Sequence, residues 1–373
     1  MTEFSKKLDS VQALRGLAAI LVALYHCAGI QKEGLDPSRV AETSLLSGFW
    51  DRGYAGVDLF FVISGFIMVY VTHGKSYNKK DIGHFLYNRV TRIFPLWWIF
   101  ASIMALYFFI SYGQVAPPDR VSDSNSLSYF IKSFLLIPQN HVPILGVGWT
   151  LIHEIYFYII FAGFLFFDRA KLPLLLFIWL TVIFLGALMG FAGSTAQGYP
   201  SLILSLLTLE FIAGAFAAIL ITRGVFKFEK ICLIVGLVFV ILAMIFYTDT
   251  SLELTSWGRV VVYTLPFTLI IYGAVICENK GYIYYPKFLV SLGNWSYSIY
   301  LSHFLVFLTI RRVQEYAGPY LPEYLHSQAE GWIDNLVFSI IALAATLIFS
   351  ALCYKFIERP LLQLSQNVTK RLV

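Results

Sequence analysis

An all-α, polytopic membrane protein with about ten transmembrane helices around a central polar cavity is the fold class that three observations predict. The chain of 373 residues is 58% hydrophobic and only 13% charged. Its mean hydropathy is +0.72, and its apolar residues gather into runs of membrane-spanning length. A soluble fold needs roughly 25% charged residues to cover its surface. The composition therefore excludes an ordinary soluble enzyme, a disordered chain and a nucleic-acid binder. The net charge of +5 does not point to nucleic acid either, because most of the positive charge lies in short loops beside apolar segments.

A helix that crosses a bilayer needs about 20 mostly apolar residues. Ten segments qualify: 11–31, 54–72, 94–113, 147–168, 172–190, 200–222, 230–247, 256–277, 288–310 and 333–357. The stretch 128–137 (SYFIKSFLLI) is too short to span and reads as an amphipathic or re-entrant piece in the longest connection. Neither an internal repeat nor a Gly/Ser/Pro linker divides the chain, so one membrane domain over 1–373 is expected.

Ten spans put both termini on one side, and the distribution of Lys and Arg decides which. With the N-terminus inside, more than two thirds of the 27 lysines and arginines fall on the cytoplasmic side, while Arg39, Arg120 and Arg259 are among those left outside. Both ends are therefore expected in the cytoplasm. The four cysteines, Cys27, Cys232, Cys277 and Cys353, sit inside apolar runs at no metal-like spacing and read as reduced packing residues. Histidines 73, 84, 141 and 326 read as solvated loop residues, and no H-x-x-x-H pair exists, so no metal site is expected.

A charge at the bilayer centre costs on the order of 3 kcal/mol or more, so each intramembrane ionisable residue needs a partner, a cavity or a function. The set here is Arg15, His26, Asp58, His153, Glu154, Glu210 and His303. Arg15 and His26 are eleven residues apart, and at about 100° per residue this is three turns plus about 20°, so both share one helix face. They stand roughly 16 Å apart along the axis, with Arg15 near the cytoplasmic surface. Arg89 and Arg92, three residues apart before the third span, aim the same way if helical. Taken alone they read as a positive-inside anchor; joined to Arg15 they make a polyanion site. A ligand with a phosphate-rich head and a long thin arm, such as coenzyme A, fits arginines at the mouth and a histidine deeper in. Neither a dinucleotide fingerprint nor a P-loop occurs.

These residues also carry a resemblance. Leu14-Arg15-Gly16 with His26, the run Gly56–Phe66 (GVDLFFVISGF), Arg89–Pro95 (RVTRIFP), Gly148–Leu151 with Glu154, and Leu292–His303 follow one another along the chain. In this order they resemble the acyltransferase family 3 membrane proteins, particularly bacterial exopolysaccharide O-acetyltransferases. The resemblance runs from Leu8 to Pro360. It implies a multi-pass enzyme of the bacterial inner membrane that moves an acyl group, most often acetyl, from cytoplasmic acyl-CoA (acetyl-CoA) to a glycan hydroxyl. The acceptor would be a polysaccharide or a lipid-linked precursor, with membrane lipid around the protein and glycan-assembly proteins as further partners. Some relatives carry an extracytoplasmic hydrolase-like domain, and none is expected in this chain.

On this reading His26 is the general base on the acceptor hydroxyl and Glu154 fixes its tautomer or stabilises the imidazolium. Arg15, Arg89 and Arg92 hold the donor. Asp58, Ser64, Trp149, Glu210 and His303 are secondary candidates for contact with substrate. His153 points about 100° away from Glu154 and is left outside the catalytic group. A transient acyl-imidazole on His26 stays open beside direct transfer. Two alternatives remain: a proton-coupled transporter built on the intramembrane His and Glu residues, and an O-acyltransferase of the other large membrane class, with His303 as the catalytic histidine.

Overall fold

The computed structural model describes residues 7–32, 47–116, 126–191, 199–247, 257–320, 322 and 332–372. Among these there are helices and turns but no strands. The principal helices are α1 (Asp9–Lys32), α2 (Ala55–Thr72), α3 (Lys79–Tyr112), α4 (Ser126–Phe134), α5 (Gly148–Phe164) and α6 (Leu172–Leu188). They continue with α7 (Thr208–Thr222), α8 (Glu229–Phe246), α9 (Trp257–Asn279), α10 (Lys287–Ala317), α11 (Trp332–Cys353) and α12 (Arg359–Leu372). Arg39, Arg120 and His326 lie outside the described residues.

Each of the ten expected segments falls on helix, and eight helices are long and apolar enough to cross a membrane. The other two differ for opposite reasons. α5 has 17 residues and is too short. α10 has 31 residues but carries Asn294, four serines, His303, Arg311 and Arg312 along its length. The protein is thus an all-α polytopic membrane protein. α4 is a nine-residue amphipathic helix that does not span; the indoles of Trp97 and Trp98 on α3 donate to the carbonyls of Ser133 and Phe134 at 3.2 and 3.0 Å.

Large apolar side chains are exposed on α3, α6 and α8. α2, α7 and α9 are mostly buried, so the hydrophobic exterior belongs to the flanking helices and the inner helices pack on one another. Without a hydrophobic drive between helices in lipid, close backbone approach has to supply dispersion contact. Two crossings show how. A Cβ on Gly65 of α2 would overlap the Phe211 carbonyl of α7, and one on Gly214 of α7 would overlap the Val62 carbonyl of α2. Likewise Gly293 of α10 lies directly against the Gln12 carbonyl of α1, and Gly16 of α1 against Leu292. The second crossing fixes Arg15 and His26 of α1 beside Ser296, Tyr297 and His303 of α10.

The ends of the bundle are set by polar ties. Asp9 and Ser10 at the start of α1 donate their backbone N–H groups to the Glu278 carboxylate at the end of α9, each at 2.9 Å. Lys280 pairs with Glu229 at 2.7 Å, joining the same end of α9 to the start of α8. This end, called proximal here, also holds the end of α2 and the start of α3. α3 begins 15 residues before the apolar run of its span, at a capping box in which Asn78 and Asp81 bond each other's backbone N–H at 3.0 Å. His84 is accordingly helical, not a loop residue. At its other side α11 passes through a π-helical turn, Tyr354–Glu358, before α12. All four cysteines are free; three of them are buried and Cys232 is half-buried.

Candidate active site

A narrow cavity opens among α1, α2, α3, α5 and α10, and three guanidinium groups line it: Arg15, Arg89 and Arg92. Each is half-buried, and none has a carboxylate within ion-pair distance among the described residues. Arg89 stacks over the rings of Phe85 and Tyr158, 5.3 and 5.5 Å from their centroids, and its Nε is buried with no hydrogen-bond partner. The acid in the cavity is Glu154, and hydroxyl groups hold it: Ser64 donates to Oε1 at 3.4 Å, and the Tyr158 hydroxyl donates to the same oxygen. Glu358, on the π turn, accepts from Ser298 at 2.5 Å and acts on Arg15 and Arg92 only through space. Positive charge is therefore left uncompensated, a condition that an anionic ligand would relieve.

Tyrosines shape the wall. Tyr297 donates to the Ile93 carbonyl at 2.7 Å, two residues before Pro95, whose ring removes one backbone donor from α3. Deeper in, the Tyr300 hydroxyl donates to the Val147 carbonyl at 3.0 Å and lies 2.7 Å from Thr150 Oγ1. One turn further along α10 is His303, its ring centroid 6.1 Å from that of Tyr300.

His303 is fully buried and lies against His26 on α1, with Nε2 3.1 Å from His26 Nδ1. The carbonyls around the two rings assign their tautomers. His303 Nδ1 is 3.0 Å from the Ile299 carbonyl, which can only accept, so that nitrogen carries the proton and Nε2 is left as an acceptor. His26 Nδ1 is 3.0 Å from the Val22 carbonyl and 3.1 Å from His303 Nε2, so it too carries a proton and is shared between them. The lone pair of His26 is then on Nε2, which has no hydrogen bond among the described residues. His26 itself is half-buried, with Tyr25 and Phe304 packed edge-on against it.

The structure thus joins Arg15, Arg89, Arg92, Ser64 and Glu154 in one cavity and places His26 with His303 next to it. The side chain within hydrogen-bond distance of His26 is His303, while Glu154, which the sequence reading pairs with His26, is bonded to Ser64 and Tyr158. Trp149 packs against Phe61 and His153, and His153 Nε2 lies 3.0 Å from Ser205 at a break between Tyr199–Ile203 and α7. Asp58 and Glu210 belong to a different cluster. Both are fully buried, and Arg259 donates to the two Asp58 oxygens from Nε and Nη2 at 2.8 Å each. The sequence reading counts Arg259 among the charges on the outer side, yet it is 5% exposed on the first turn of α9. Its position just inside the 256–277 run was the available signal. Tyr158 and Tyr300 gave none, being two of 23 tyrosines. Among the described residues no group of three or more His, Cys, Asp or Glu side chains could hold a metal ion.

Fold and site together define an integral membrane protein with a cationic internal cavity beside a hydrogen-bonded histidine pair. The model of the acyltransferase domain family matches residues 8–355, and the chain belongs to acyltransferase family 3. It is similar to the exopolysaccharide production protein ExoZ of Rhizobium meliloti, at 28% identity over 329 residues covering 83% of this chain and 90% of that protein. It is similar at 24% identity to the peptidoglycan O-acetyltransferase OatA of Listeria monocytogenes, covering 96% of this chain but 57% of that longer protein. The acyltransferase MdmB of Streptomyces mycarofaciens is 24% identical, over 96% of this chain and 92% of its own length. No solved structure matches the chain.

Proposed function

We propose that this protein is an O-acyltransferase of the bacterial inner membrane, with both termini cytoplasmic, that moves an acetyl group from acetyl-CoA to a hydroxyl of an extracytoplasmic or lipid-linked glycan. The observation that carries the reading is the pairing on α1: Arg15 in a cavity of unpaired guanidinium groups, and His26 on the same face about 16 Å further along. The phosphates of the donor would neutralise Arg15, Arg89 and Arg92, and its arm would run past Tyr297 and Tyr300 toward the histidines. The names of ExoZ and OatA favour a glycan as acceptor.

In the proposed step the acceptor hydroxyl gives its proton to His26 Nε2 as its oxygen attacks the thioester carbonyl. The tetrahedral intermediate collapses by breaking the C–S bond, and the imidazolium returns the proton to the departing thiolate. His303, by accepting from His26 Nδ1–H, holds the base in the productive tautomer and stabilises the imidazolium, the role a carboxylate has in a triad.

The test uses purified protein in lipid nanodiscs, with acetyl-CoA and a glycan acceptor. His26→Ala is expected to lower kcat by about a hundredfold or more while CoA still binds. His303→Leu should lose more activity than His303→Gln, whose amide oxygen can still accept from His26. Near-wild-type turnover in His26→Ala would sink the catalytic assignment.

A further inference from the structure

A second pocket lies on the proximal side of the cavity, where α2 ends and the early turns of α3 extend beyond its apolar run. Its walls include Thr72, Lys75, Tyr77, His84, Phe85 and Arg89. Arg89 lines both this pocket and the cavity, so the two spaces meet around a single side chain. From Asp81, in this pocket, to Arg92, in the cavity, α3 rises by about 16 Å. The pocket is cationic as well, with Lys75 and Arg89 on its wall. Behind the wall, Arg169, in the turn between α5 and α6, donates from Nη2 to Thr72 Oγ1 at 3.0 Å, and its Nη1 is buried with no partner among the described residues. Arg89 Nε is likewise buried and unpartnered. Burial raises the Tyr77 phenol, and Arg169 and Arg89 both pull it back, which places the two guanidinium groups within electrostatic reach of one ring. The acid on the pocket wall is Asp81, and its carboxylate is held in the α3 capping box by the Asn78 N–H. Tyr77, His84 and Phe85 add flat rings to a pocket whose charge is otherwise positive.

Two donors left unsatisfied in buried positions, a flexible lysine and three rings form a set that recognises a phosphorylated nucleoside. We propose that this pocket seats the adenosine 3′-phosphate end of the acyl donor on Lys75 and Arg89, with Arg169 behind the wall at Thr72, while the pyrophosphate stays on the cavity arginines and the acyl-bearing arm passes Arg89 into the cavity. The proposal rests on the acyl-CoA reading of the cavity and adds a subsite to it.

The experiment compares acetyl-CoA with S-acetyl-pantetheine, which has the thioester and arm but no nucleotide. In Lys75→Ala and in Arg169→Gln, kcat/KM for acetyl-CoA is expected to fall about tenfold relative to kcat/KM for S-acetyl-pantetheine, through KM. Lys171→Ala removes an exposed charge two residues from Arg169 that, unlike Arg169, has no hydrogen bond to the pocket wall among the described residues, and should keep the wild-type ratio. An equal loss on both donors, no loss on acetyl-CoA, or the same loss in Lys171→Ala would overturn the subsite. Should wild-type protein turn over neither donor, the acyl-CoA reading itself fails. The pocket is then judged by binding of adenosine 3′,5′-bisphosphate, which Arg169→Gln must weaken if the pocket is a nucleotide seat and leave unchanged if it is not.

Discussion

Two groups of charges are buried in this bundle, and they are built on opposite plans. At the distal ends of α2, α7 and α9, Asp58, Glu210 and Arg259 stand in the first turns of their helices, where carboxylates also gain from the helix dipole. There the guanidinium is closed off: Arg259 forks onto Asp58 at 2.8 Å through two nitrogens, with the Tyr54 ring 4.7 Å from its centre. In the cavity, Arg15, Arg89 and Arg92 have no carboxylate within ion-pair distance among the described residues. A charge answered by the protein serves the fold, and one left unanswered is, in the proposed function, neutralised by the donor.

The largest expected effect falls on the closed group. Arg259→Leu leaves Asp58 and Glu210 buried without a cation, and removing one partner of a buried pair costs about 3–5 kcal/mol. Thermal unfolding in one detergent should show a large drop in midpoint, and the double variant Asp58→Leu/Arg259→Met should recover part of it. A midpoint within a degree or two of wild type for Arg259→Leu would mean that the pair does not hold α2 to α9.

The open group should respond the other way round. Arg15 and Arg92 repel each other across the cavity, so Arg92→Ala removes a like-charge conflict and is expected to leave the midpoint at or above that of wild type. What it loses is donor affinity: KM for acetyl-CoA rises about tenfold, and its salt dependence becomes shallower. A variant that unfolds early while keeping its KM would place Arg92 among the structural charges and erase the contrast.

How far this contrast was legible in the sequence depends on distance along the chain. Periodicity alone puts Arg15 and His26 on one face, because both are on one helix and 100° per residue is reliable over eleven residues. Partners on other helices are invisible to it. Arg259 was read as a topology charge, since nothing local reveals that Asp58 lies opposite it 201 positions earlier. The His26–His303 contact, across 277 positions, was missed for the same reason. Hydropathy also misjudged the start of α3, since an apolar window ends where polar residues begin, whereas the helix runs on to its Asn78 cap. The second pocket lies on that extension.

The smallest effect distinguishes the two carboxylates of the closed group. Arg259 spends both forked donors on Asp58, and neither oxygen of Glu210 has a hydrogen-bond partner among the described residues. Glu210→Gln keeps the shape of the side chain and supplies an amide donor beside Asp58. Its cost should stay within about 1 kcal/mol. Asp58→Asn strips the forked guanidinium of its counter-charge and should cost several times more. Side-by-side unfolding of the two amide variants decides the matter. If Glu210→Gln falls as far as Asp58→Asn, the cation is shared equally between two acids, and the distal cluster is a triad in which Glu210 is as necessary as Asp58.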